Sequence, residues 1–167
     1  KLPREPRVLA QVISDGNFRR IALGQISARR QTRLFLITAG VGFDARAVLR
    51  VSRRLKLFNG KLAFIVAGIA EYLFGKRVQY QVIVGGKALV ARSVLFANGK
   101  YYAGGMVWAP AAGIERPTLE VGIFAAAGRL RIPTYVVAFM AGRLQQLHDV
   151  IVRSSTEIDL TGPSSEP

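Results

Sequence analysis

The sequence predicts an α+β domain built on antiparallel sheets. Apolar, β-branched runs outnumber helical ones along the chain. Each helical segment stands alone among strands instead of alternating with them, which argues against a βαβ arrangement. Gly85-Gly86 separates two β-branched runs, the signature of a hairpin.

The elements follow in order. Residues 4–14 read as a short helix that closes at Asp15-Gly16. Residues 17–26 alternate loosely, as a strand does, and 34–38 form a compact β-rich run ending at a glycine turn, Gly40-Val41-Gly42. From 43 to 57 the period is helical: Phe43, Ala47, Val48, Val51 and Leu55 share one face. Arg46, Arg50, Arg53 and Arg54 fall mostly off it. Asp44 then sits in the first turn, where a carboxylate complements the helix dipole. Gly60 opens a second helix over 61–75. Residues 78–84 and 87–97 form the hairpin, and 119–126 a further strand ending at Gly128. Residues 133–147 fit a helix with Pro133 in first position. Residues 150–160 alternate as a last strand before a polar tail, 161–167.

A chain of 167 residues, half of them hydrophobic, suits one domain with a core of its own. It has no cysteine, which excludes a disulfide framework and thiolate metal sites and fits a cytoplasmic protein. The formal charge of +14 attracts anions in general: nucleic acid, anionic lipid headgroups or phosphorylated substrates. A solvated basic face is the competing reading. The longest apolar helix candidate, 62–74, is interrupted by Glu71 and falls short of the roughly 20 residues that a membrane span needs.

Chemistry-bearing residues are few. No Walker-type loop occurs, and Gly40-Val41-Gly42 lacks the third glycine of a dinucleotide fingerprint. Asp44 reads as a helix-start carboxylate or as an acid in a cleft. The two are compatible, since a helix start also holds phosphate. Asn98, before Gly99, reads as a strand-ending turn residue or as a cleft residue. Tyr101 and Tyr102 could stack nucleic-acid bases, though burial in a strand is the more economical reading. Trp108 reads as core. His148, the lone histidine, is given no role.

Several segments together resemble the C-terminal domain of the diacylglycerol kinase family of lipid kinases, which includes bacterial enzymes and the sphingosine kinases. They are Gly-Val-Gly-Phe-Asp-Ala at 40–45, Gly-Lys-Leu-Ala-Phe-Ile at 60–65, Asn-Gly-Lys-Tyr-Tyr-Ala-Gly-Gly-Met at 98–106, Ala109-Pro110 and Leu-Glu-Val at 119–121. The resemblance runs from about residue 15 to 159. It implies a β-sandwich with helices packed at one end, similar to the C-terminal domain of NAD kinase-like proteins. It divides the chain into an interdomain linker and helix at 1–16, a substrate-side domain at 17–160 and a polar tail at 161–167.

By the same resemblance, the parent enzyme transfers the γ-phosphoryl group of ATP to the hydroxyl of a diacylglycerol-like lipid. ATP and Mg²⁺ are bound mainly by an N-terminal domain carrying a Gly-Gly-Asp-Gly-Thr loop, a string absent from this chain. The family's acidic Asp-Gly-[Asp/Glu] motif, the apparent source of the catalytic base, is not reached either. The chain is therefore expected to be an excised domain, inactive alone, with no catalytic residue of its own. Gly40, Gly42, Phe43, Asp44, Asn98, Gly104, Gly105 and Met106 are expected to line the substrate cleft. Arg46, Arg50, Arg53, Arg54 and Lys56 are expected to face an anionic membrane, the protein being cytoplasmic and peripheral to it. Where the family carries an Asp-Gly turn and a structural Mg²⁺, this chain reads Glu115-Arg116-Pro117. Glu115 is the remaining candidate ligand, and a plain surface turn is favoured there. An open sheet edge would permit a homodimer. A basic nucleic-acid-binding or regulatory module, and a kinase acting on another hydroxyl substrate, remain as alternatives.

Overall fold

The computed structural model describes residues 3–28, 30–51, 68, 70, 71, 74, 75, 78–102, 106–125 and 131–163. Among them, strand period two organises two antiparallel sheets. A four-stranded sheet has the order β10 (Val150–Ser155), β9 (Leu119–Phe124), β6 (Ser93–Ala97), β3 (Thr38–Gly42). A three-stranded sheet has the order β11 (Ile158–Thr161), β4 (Tyr80–Val84), β5 (Lys87–Ala91). Val82, Val84 and Ala91 of the second sheet pack against Val94, Phe96, Val121 and Ile123 of the first. The opposite face of β6 carries Leu95 and Ala97 into a second cluster with Trp108, Ala109, Leu144 and Val150. Strand β6 is thus buried on both faces, and a helical layer, α3 (Arg131–Met140), covers its second one. The α+β sandwich expected from the sequence is the observed fold.

The remaining elements are α1 (Pro6–Ser14), a separate hairpin of β1 (Gly24–Ala28) and β2 (Gln31–Phe35), α2 (Phe43–Leu49), and a short pair, β7 (Tyr101–Tyr102) and β8 (Met106–Val107). Gly68, Ala70, Glu71 and Phe74 are helical, within the helix expected over 61–75; Gly75 is not helical, and the other residues of that run lie outside the described residues.

Several expectations are corrected. Gly40 and Gly42 do not form a turn after a strand; they lie in β3, with Gly40 paired to Leu95 and Gly42 to Ser93. Residues 17–23 are irregular, and the strand begins at Gly24. The run 87–97 is two strands, broken at Arg92, where the chain passes from one sheet to the other and the Arg92 N–H donates to the Phe124 carbonyl at 2.9 Å. Helix α3 begins two residues before Pro133 and stops well short of 147. Gly142, at φ 66, closes it: its N–H donates to the Phe139 carbonyl (3.0 Å) and the Arg143 N–H to Ala138 (2.7 Å), the paired bonds of a Schellman cap. The last strand is also two, separated where the Ser155 hydroxyl donates to the Glu157 carbonyl at 2.6 Å. Helix α2 ends at Leu49, and 52–57 lie outside the described residues.

Candidate functional site

The site is built at the junction of β3 and α2. Gly42 has φ 90 and ψ −131, a conformation open almost only to glycine. A Cβ there would collide with the Arg92 carbonyl oxygen and stand 3.0 Å from Ser93 Cα. The Ser93 hydroxyl donates to the Val41 carbonyl at 3.0 Å and ties the same corner down. The abrupt turn sends the chain into α2 with Asp44 in its first turn. Gly40 is needed for another reason: a Cβ on it would collide with the Asp44 carboxylate, which fills that space.

Strand β7 supplies the partner. The Tyr102 hydroxyl donates to Asp44 Oδ1. The Tyr102 ring stands edge-on to Phe139 of α3, with centroids 5.7 Å apart and planes at 79°. Tyr102 also pairs with Met106 in the β7–β8 register, so backbone and ring both fix its hydroxyl. Burial pushes the Asp44 carboxyl above its ordinary range, more than the Tyr102 hydrogen bond brings it down. Burial, with the neighbouring carboxylate, pushes the Tyr102 phenol far up, so it remains a donor at any ordinary pH. Asp44 Oδ2 has no hydrogen-bond partner among the described residues. The arrangement therefore offers one oriented acceptor oxygen in a partly desolvated corner.

A second cluster lies behind α2. Glu71 is buried, and its carboxylate accepts from Arg46 Nε at 2.6 Å and from Arg50 Nε at 2.7 Å. Arg46 also donates to the Tyr80 hydroxyl at 3.3 Å. Two of the five cations expected to face a membrane thus bind an internal acid. Their side chains are 20% and 44% exposed, so Arg46 in particular is turned inward. The other three, Arg53, Arg54 and Lys56, lie outside the described residues.

Asn98 is 1% exposed. Its side-chain amide donates to the carbonyls of Ala22 and Leu36, both at 2.8 Å, which uses both of its hydrogens. It anchors the segments on either side of the β1–β2 hairpin to the end of β6, a structural task. Phe43 opens α2 and is half-buried. Met106 enters β8, and Gly104 and Gly105 lie outside the described residues. Trp108 is core, as expected, with its ring seated over Gly122, where a Cβ would stand 2.6 Å from it. Tyr101 is half exposed beneath Lys100 Nζ, 5.8 Å from its ring centre.

Glu115 sits on the surface and pairs with Arg19 at 3.0 Å. Among the described residues no three acidic, histidine or cysteine side chains come together as metal ligands. Arg116 and Pro117 follow Glu115 in the chain, and its carboxylate is occupied by the Arg19 pair. His148 contacts Arg131, whose Nε donates to Asp149 Oδ2 at 2.9 Å alongside the Tyr135 hydroxyl at 2.7 Å. Burial raises the Asp149 carboxyl, but these donors outweigh it and hold it below its ordinary value. This cluster fastens α3 to the start of β10.

Tyr102 and Glu71 are the residues that reading the sequence missed. Tyr102 meets Asp44 across 58 positions, a separation that no local pattern reveals. Glu71 did leave a signal, as an acid interrupting an apolar helical run.

The YegS C-terminal NAD kinase beta sandwich-like domain matches residues 37–166. The chain belongs to this family. Among solved structures it is similar to a diacylglycerol kinase from Bacillus anthracis str. Sterne, at 15% identity and a TM-score of 0.62, covering 99% of this chain and 53% of that one. A second structure from the same organism, described as a "putative diacylglycerol kinase", gives 18% identity and a TM-score of 0.63 over 96% of this chain and 52% of that one. At such identities the likeness is one of fold. The YegS-family chain spans about half the length of these solved relatives. Comparison with curated proteins gave no match.

Proposed function

We propose that this chain is the substrate-side domain of an ATP-dependent lipid kinase, which phosphorylates the hydroxyl of a diacylglycerol-like lipid. The observation that carries the reading is Asp44: a partly buried carboxylate, held on Oδ1 by Tyr102, with Oδ2 left to accept a hydrogen bond. A neutral alcohol is the group such an acceptor suits. Tyr102 is a positioning residue that fixes the carboxylate plane. Gly42 sets where that plane lies.

Among the described residues no three acidic, histidine or cysteine side chains come together as metal ligands. The nucleotide would be held by the remainder of the enzyme, so no phosphoryl-transfer step is assigned to residues of this chain. No described helix is long and apolar enough to cross a membrane. The enzyme would meet its lipid at the cytoplasmic surface of the bilayer, as a peripheral protein.

The test is transfer of labelled γ-phosphate from ATP to a lipid panel by the full-length gene product that contains these residues. Diacylglycerol and related neutral alcohols should be labelled. Labelling of soluble nucleotides or polyisoprenols alone would reassign the substrate, and no labelling at all would remove the kinase reading.

A further inference from the structure

The β1–β2 hairpin is a two-stranded sheet of its own, joined to neither sandwich sheet. Apart from Gly24 and Phe35, every side chain described on it is exposed. Between Asn17 and Phe43 the chain carries arginines at 19, 20, 29, 30 and 33 and no acidic residue. Arg19 is paired with Glu115, but no acidic group among the described residues meets Arg30 or Arg33. Exposed aliphatic side chains lie among these cations: Ile26, Leu34, Leu36 and Ile37, with Leu34 61% exposed.

The tip is the informative point. Ala28 pairs with Gln31, so the connection between the strands is two residues long. Such connections favour Asn-Gly because they demand left-handed backbone. This chain places arginine there, and Arg30, at φ 66, is the one described non-glycine residue with positive φ. A strained arginine where glycine would be relaxed, on an arm without acids, is positioned for its charge.

We propose that this hairpin is a membrane-docking arm, which enters the headgroup layer of an anionic bilayer tip-first. Arg30 and Arg33 meet lipid phosphates there. Ile26, sharing a face with Arg33, and Leu34 on the opposite face reach the acyl boundary. A nucleic acid would be met by cations interleaved with stacking aromatics. The hairpin's one aromatic, Phe35, packs into the sandwich core instead, and its exposed apolar groups are aliphatic. The inference rests on the lipid reading above only for the choice of a bilayer, and its test needs no catalysis.

The 167-residue chain is sedimented with vesicles of phosphatidylglycerol and phosphatidylcholine in equal parts, and with phosphatidylcholine alone. Binding is expected to the anionic vesicles only. Each arginine at such a surface is worth about fivefold in partition, so Arg30→Glu with Arg33→Glu should weaken binding by more than about 25-fold. Lys87→Glu with Arg153→Glu, the same charge change on other surfaces, should leave most of the binding intact. Arg30→Gly separates charge from folding, because it should raise the melting temperature while lowering vesicle binding. Failure of the unmodified chain to bind anionic vesicles, or equal loss from both double variants, overturns the proposal. So does tighter binding to a random single-stranded oligonucleotide that depends on the same arginines. Absence of lipid phosphorylation would leave a positive vesicle result standing.

Discussion

Tyr102 on β7 and Asp44 at the start of α2 are joined by a hydrogen bond, with the Tyr102 ring held edge-on against Phe139 of α3. Tyr102→Phe removes the donor and leaves a partly buried carboxylate unsatisfied. Such a loss costs about 1–3 kcal/mol. Thermal denaturation should show the drop, and an NMR titration should find the Asp44 carboxyl pushed higher still.

Asp44 also sets a pH dependence. Its folded carboxyl is raised above the ordinary 3.8, so between 3.8 and the folded value the native state holds more protons than the unfolded one. Stability therefore falls as pH rises through that window, and above it the penalty is constant. Asp44→Asn keeps an oxygen for Tyr102 and removes the charge. Denaturant titrations from acid to neutral pH should show that Asp44's part of the decline is gone, with the variant at least as stable as the parent at neutral pH. A carboxylate retained against stability is what a functional site predicts.

Glu71 is predicted to matter more to stability than either of its partners. Glu71→Ala removes the acceptor shared by two partly exposed guanidinium groups, leaves a buried hole and should cost about 1–3 kcal/mol. Arg50→Ala should cost no more than about 1 kcal/mol, since its side chain is 44% exposed and water can replace it. Urea unfolding of the two variants distinguishes this order from the reverse.

Asn98→Ala would leave the carbonyls of Ala22 and Leu36 without their shared donor. About 2 kcal/mol or more should be lost, from the cost of an unsatisfied buried acceptor. Amide exchange should quicken along residues 22–37 before it does in β6 or β9. A loss of ligand affinity with no change in exchange would instead place Asn98 in the cleft.

The fold was legible where backbone chemistry is local. Gly85 and Gly86 take φ 56 and 73, as a two-residue hairpin demands, and the alternation in β4 and the continuous apolar run of β6 mark the core. It was misread where one residue type has two uses. Gly40 and Gly42 looked like a turn, yet only Gly42 has positive φ, while Gly40 makes room for Asp44. The break at Arg92 was invisible because apolar residues continue on both sides as the chain changes sheets. At the site, Asp44 was found through its helix-start position. Its partner was not, because side chains on separate strands meet only through the fold. The basic stretch after Asp44 was read as a surface because Glu71, which binds two of its arginines, lies 25 and 21 positions away.

The most direct measurement compares phosphate transfer from ATP to diacylglycerol by the full-length protein and by its Asp44→Asn variant, with melting curves taken in parallel. The proposed role of Asp44 predicts that the variant stays folded, melts no lower and loses most of its lipid phosphorylation. A folded variant that phosphorylates lipid at the parental rate would contradict it.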